Sequence, residues 1–134
     1  MGEHMQIGEV AERTELSLRT IRYYEEVGLV IPSARSQGGF RLYTEPDVER
    51  LLLVKRMKPL GFQLDEMREL LELLDPGTGA RRRLRKEDRE RLRGFTDVAE
   101  ERCTELRAKL HSAEEFAEML REQLARQRVN TARA

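Results

Sequence analysis

Arg19, Thr20, Arg22, Tyr23 and Tyr24 crowd into six residues of a run with helical spacing, two places after Ser17. Presented on a helix, these residue types suit one kind of chemistry. A guanidinium can pair bidentately with a guanine edge, a threonine can meet a thymine methyl or a phosphate, and a tyrosine hydroxyl suits a wet phosphate edge. A second group follows, in which Arg35 and Arg41 bracket Ser36-Gln37-Gly38-Gly39, and residues 35–43 hold two arginines and no acid. One exposed arginine on a hairpin is usually just solvated, but a pair beside a basic helix favours phosphate contact. Covalent chemistry finds no support. The chain carries no phosphate-binding loop, nucleophile constellation or metal-ligand set, so it is not read as an enzyme and no cofactor is expected. Its single cysteine, Cys103, cannot form an internal disulfide or a multi-thiolate zinc site.

Local signals define the elements that carry these groups. Ile7 to Arg13 is a short helical run, Thr14-Glu15-Leu16 a turn, and Ser17 an N-cap whose hydroxyl accepts from a first-turn amide. Leu18 to Val27 is the next helix, closed by Gly28 as a left-handed C′ residue with Leu29 as its apolar partner. Helix, tight turn and capped helix together make a helix-turn-helix candidate, whose second helix would offer Arg19 and Thr20 from its first turn to a major groove. Pro32 stops any further helix. Ala34-Arg35 and Phe40-Arg41-Leu42-Tyr43 flank the glycine loop as a hairpin. Thr44 caps the following helix, whose stripe is read as Val48, Leu51, Leu52 and Met57; Pro59-Leu60-Gly61-Phe62 ends it. Leu64 to Leu74 forms another, with Leu64, Met67, Leu70, Leu71 and Leu74 inward.

Asp75-Pro76-Gly77-Thr78-Gly79 is the clearest break. Beyond it Leu92, Thr96, Ala99, Cys103, Leu106, Leu110, Ala113, Ala117, Leu120 and Leu124 recur at alternating steps of four and three, a heptad seam. Four segments result: a head at 5–75, a hinge at 76–85, a coiled-coil helix at 86–128 and a disordered tail at 129–134. The fold class is mainly α, with a winged helix-turn-helix head, a small β-hairpin and a long helix that pairs with a second copy. With 37% charged and 5% aromatic residues, a large isolated core is not expected. Much apolar surface must therefore meet a partner. A formal net charge of zero argues against a generic polyanion binder, so the local clusters matter more. Residues 81–93 hold eight Arg or Lys and three acids. That run reads by default as a solvated face, with a phosphate tether or an anion site as alternatives. No run approaches the roughly 18 apolar residues of a membrane span, and no signal peptide is legible, so a cytoplasmic protein is expected.

Taken in order, Ile7-Gly8-Glu9-Val10-Ala11, then Leu18-Arg19-Thr20-Ile21-Arg22-Tyr23-Tyr24-Glu25-Glu26-Val27-Gly28-Leu29, then Gly39-Phe40-Arg41-Leu42-Tyr43, Asp47-Val48-Glu49-Arg50-Leu51 and Leu60-Gly61-Phe62 resemble the head of the MerR family of transcription regulators. The resemblance covers roughly the first half of the chain; the rest matches only in kind. It implies contacts to double-stranded DNA from Ser17, Arg19, Thr20, Arg22 and Tyr23. For Tyr24, backbone contact and inward packing both stand. It also sets the wing, Arg35, Gly39, Phe40, Arg41 and Tyr43, against the sugar-phosphate backbone. Of the two wing aromatics, one is expected to pack onto the head while Tyr43 reaches a phosphate. Lys58 matches a backbone-contact position. Departures are Glu15 where the family usually has glycine, Gln63 in place of a Ser or Thr cap, and Pro59, which should disfavour helical geometry at Lys58.

The resemblance further implies an antiparallel homodimer on a palindromic promoter, acting by bending and untwisting the DNA between the polymerase-contact elements. RNA polymerase is then an indirect partner. Pairing seam positions whose numbers sum to 216 sets Leu106 on Leu110, Cys103 on Ala113, Ala99 on Ala117, Thr96 on Leu120 and Leu92 on Leu124. Metal- and redox-sensing members carry further cysteines in a loop after the dimer helix, and here Cys103 stands mid-seam, where a thiol is usually an inert apolar residue. Metal or iron–sulfur sensing is therefore not expected, and the small-molecule effector is unassigned. A DNA-free adaptor using the same head is the competing class.

Overall fold

The computed structural model describes residues 4–32, 34–74 and 83–133. In chain order the elements are α1 (Ile7–Thr14), α2 (Leu18–Glu26), β1 (Ala34–Arg35), β2 (Arg41–Leu42), α3 (Glu45–Met57), a 3-10 turn (Lys58–Leu60), α4 (Leu64–Leu74) and α5 (Lys86–Arg133). They fall into two compact units, Met1–Phe95 and Thr96–Ala134. The boundary between the two units lies inside α5. The first turns of α5 belong to the head because the Phe95 ring packs on Phe62, with centroids 6.1 Å apart, and Arg91 Nη2 lies 3.6 Å from a Glu69 carboxylate oxygen. The expected hinge, residues 76–85, lies outside the described residues as far as 82.

Local chemistry accounts for the ends of α2. The Thr20 amide donates to Ser17 Oγ at 3.0 Å, closing the first turn. At the other end Gly28 adopts φ +81°, the Leu29 amide reaches the Tyr24 carbonyl at 2.9 Å, and the Gly28 amide reaches that of Glu25 at 3.0 Å. This is a complete Schellman motif, with Leu29 wholly buried as its apolar partner. Two arginines hold the exit: Arg50 Nη2 donates to the Leu29 carbonyl at 2.9 Å, and Arg68 donates to that of Val27. They tie the end of α2 to α3 and α4.

The turn before α2 carries strain. Glu15 sits at φ 58°, the one non-glycine residue with positive φ among the described residues. Neighbours secure it: Lys55 Nζ donates to the Thr14 carbonyl at 2.9 Å and stands 3.7 Å from the Glu15 carboxylate. Buried Thr14 Oγ1 donates back to the Val10 carbonyl at 2.8 Å.

α1 packs on α2 and α3, and α3 packs on α4, around a core that includes Val10, Ile21, Leu29, Tyr43, Val48, Leu51, Val54 and Leu71. The apolar stripes differ from expectation by one residue each. On α3, Val54 is buried and Leu52 exposed; on α4, Leu73 is buried and Leu74 exposed. Leu52 and Leu74 instead line one shallow cleft with Leu53 and Pro59. Pro59 does not unsettle Lys58, which stays right-handed at φ −58°, ψ −46°. The proline enters the first turn of a new 3-10 helix, where a missing amide hydrogen costs little. Gln63 is served from below, its amide donating to the Glu66 carboxylate at 2.8 Å. α5 continues to Arg133 over residues expected to be disordered. Val129 to Arg133 contain no breaker, and Thr131 Oγ1 donates to the Gln127 carbonyl at 2.9 Å.

Candidate nucleic-acid interface

Antiparallel pairing of Ala34 with Leu42 and of Arg35 with Arg41 makes the wing. Its turn closes through Gly39, at φ +83°, whose amide reaches the Ser36 carbonyl at 2.9 Å. A third extended segment joins it. Met5 bridges Tyr43 through two main-chain hydrogen bonds of 2.7 Å each, and its side chain is buried. This pairing has no local sequence signal, because nothing around a single bridging residue has strand periodicity.

Ser17, Arg19, Arg22 and Tyr23 are exposed on α2, and Thr20 is half-buried. Ser17 Oγ also donates to Thr20 Oγ1 at 2.8 Å, so the two hydroxyls are linked at the helix start. Arg35, Gly39, Phe40, Arg41 and Lys58 are exposed as well. Two clefts are lined in part by α2. One, about 130 Å3, joins Arg22 to Gly39, Phe40 and Arg41 of the wing; the other, about 560 Å3, joins Tyr23 to Lys58 and the start of α4. Arg22 thus borders the wing residues Gly39, Phe40 and Arg41, and Tyr23 borders Lys58.

Two of the expected contacts do not offer themselves. Tyr24 is packed inward at 3% exposure, with its ring 5.8 Å from that of Tyr23. Tyr43 is wholly buried and Phe40 is 64% exposed, the reverse of the expected division between the wing aromatics. Strand alternation puts neighbouring residues on opposite faces but does not say which face meets the core. The Met5 bridge and Glu25 decide it, drawing Tyr43 inward. The Tyr43 hydroxyl donates to Glu25 Oε2 at 2.9 Å, while Arg41 Nε donates to Glu25 Oε1 at 2.5 Å. Burial, and then the Glu25 carboxylate, push the Tyr43 phenol well above its ordinary pKa. Glu25 is a functional candidate that no local motif marks. The available signal is its place four residues after Ile21, on the inner side of a basic helix, where an acid has no obvious local partner.

The seam residues lie on α5. Leu106, Leu110, Leu120 and Leu124 are 41–59% exposed, Phe116 and Met119 add further uncovered apolar surface, and Cys103 is a half-buried free thiol. Leu92, Ala99 and Ala117 are half-buried and Ala113 is exposed. No described helix is long and apolar enough to cross a membrane.

A helix-turn-helix followed by a two-stranded wing and a long helix defines a winged helix-turn-helix protein. Residues 5–74 match the family described as MerR HTH family regulatory protein. CueR of Vibrio cholerae, an HTH-type transcriptional regulator, is 46% identical over 69 residues, covering 52% of this chain and 50% of that one. HmrR of Rhizobium leguminosarum, another HTH-type transcriptional regulator, is 36% identical over 117 residues, covering 87% and 81%. The chain therefore belongs to the MerR family. Its match spans about half the length of relatives such as CueR. In fold it is similar to HiNmlR, a MerR family regulator lacking the sensor domain, whose structure is bound to promoter DNA: TM-score 0.60 at 23% identity, covering 81% of this chain and 79% of that one. These relatives are regulators, not enzymes.

Proposed function

We propose that this chain is a homodimeric, sequence-specific transcription regulator that reads double-stranded promoter DNA with α2. The observation that carries the reading is the exposed set Arg19, Arg22 and Tyr23 on α2, with Arg41 of the wing sharing a cleft with Arg22 and Lys58 sharing one with Tyr23. HiNmlR, of the same fold, is bound to promoter DNA, which supports the same use here. Arg19 reads a base, Thr20 a methyl or phosphate, and Arg22, Tyr23, Arg35, Arg41 and Lys58 grip the backbone, with Phe40 and Gly39 at the wing tip. Tyr24 and Tyr43 act from inside, as supports.

The exposed leucines of α5 favour a second copy as partner, since a lone helix leaves them in water. Antiparallel pairing gives two heads on one palindrome. The dimer then bends and untwists the spacer, a deformation costing on the order of 1–6 kcal/mol, and RNA polymerase responds to the realigned promoter.

The test is selection of bound duplexes by the purified chain from a random pool, followed by footprinting and sedimentation. The expected result is a palindromic motif protected by a species of twice the chain mass. Retention of every duplex alike, or a monomer on the DNA, would defeat the proposal.

A further inference from the structure

Glu25 is an acid on the very helix proposed to face a polyanion. Simple electrostatics makes it a liability, yet its side chain is only 14% exposed and both carboxylate oxygens are engaged. Oε1 accepts from Arg41 Nε at 2.5 Å, and Oε2 accepts from the Tyr43 hydroxyl at 2.9 Å. Glu25 also lines the cleft that Arg35 borders. Arg35 and Arg41 stand directly opposite one another in the hairpin, where like charges repel. The carboxylate therefore offsets a repulsion that would splay the wing.

The atoms used matter as much as the charge. Engaging Arg41 through Nε leaves its two terminal nitrogens without a hydrogen bond among the described residues, and Arg41 is 42% exposed, in the wall of the cleft it shares with Arg22. A planar guanidinium can hold a carboxylate through one edge and a phosphate through another; an ammonium, a single point charge, cannot serve both at full strength.

We infer that Glu25 is a positioning residue for DNA binding: it clamps the wing to the reading helix and aims the terminal nitrogens of Arg41 at one backbone phosphate. This rests on the DNA reading above, so the test has one arm without DNA and one with it. Without DNA, Glu25→Gln replaces two acceptors by one, and hydrogen exchange of the wing amides, 35–43, should quicken by about fivefold relative to α3. Unchanged exchange would overturn the clamp whether or not the protein binds DNA.

With the selected duplex, Glu25→Gln should weaken binding by roughly tenfold although it removes a negative charge. The log–log salt slope should fall by about 0.9, the share of one phosphate. Arg41→Lys should bind as poorly as Arg41→Ala, and adding Glu25→Gln to Arg41→Lys should improve it, because the ammonium is released from the carboxylate. Tighter binding by Glu25→Gln alone, or full activity of Arg41→Lys, would overturn the aiming role. Should Glu25→Gln melt below the assay temperature, the Arg41→Lys and Arg41→Ala comparison decides. A wild-type chain that selects no duplex would sink the DNA reading itself, while the exchange arm still judges the clamp.

Discussion

A single side chain can read, grip or support, and burial separates these roles here. Arg19 is exposed in the first turn of α2, where base edges are met. Arg19→Ala is expected to flatten base preference at one position of each half-site, by about 1–3 kcal/mol, while sedimentation still reports the same oligomer. Retained preference in a competition assay would reject the assignment. Tyr43 is a support, wholly buried with its hydroxyl on Glu25. Tyr43→Phe should cost about 1–2 kcal/mol in urea unfolding at neutral pH. The pH dependence has a definite sign. Because the folded phenol is held above its unfolded value of about 10, its contribution is whole below that pH and is lost as pH rises through the folded value. The phenylalanine variant should therefore lose that share of the wild type's alkaline destabilisation. Roles at this scale were only partly legible. Ser17 and Gly28 act on atoms within a few residues of themselves, so sequence suffices for them. Tyr43, Phe40 and Glu25 take their roles from residues far along the chain, such as Met5 and Arg41, which a local pattern cannot bring together.

Elements stand or fall by their ends and their faces. The turn between α1 and α2 holds Glu15 in the left-handed region, where a side chain is disfavoured. Glu15→Gly is expected to raise stability by about 0.5–1 kcal/mol, read as a higher melting temperature; the Lys55 contact it sacrifices is exposed and worth little. The strain was foreseeable from an acid standing where a glycine would be easier. Helix faces were read less well. In α3 and α4 every candidate was aliphatic, so Val54 against Leu52, or Leu73 against Leu74, could be settled only by the neighbours that α3 and α4 meet. α5 poses the opposite case: its period was legible, and its leucines stand exposed, as the proposed pairing with a second copy requires. Leu110→Glu should shift the chain towards monomer in equilibrium sedimentation and leave the head's melting transition in place. A dimer of undiminished strength would place the interface elsewhere.

For the whole molecule, an equal number of basic and acidic residues, 25 each, means that any attraction to DNA must come from arrangement. Two heads gripping together should give a steep fall of affinity with salt, about 0.9 in slope for each phosphate neutralised. Pairing positions that sum to 216 separates two copies of Cys103 by about 15 Å, beyond disulfide reach. Mild oxidation of the native dimer should therefore leave Cys103 unlinked on non-reducing gels. A quantitative Cys103 crosslink would show the helices to run parallel.

The bridge between Met5 and Tyr43 bears on how such experiments are equipped. Because those two backbones run in opposite directions, His4 departs alongside Thr44, away from the glycine tip, and is exposed. A fluorophore or surface tether attached there would leave the glycine tip of the wing free. One attached in place of Met5 would unbutton the hairpin it was meant to observe.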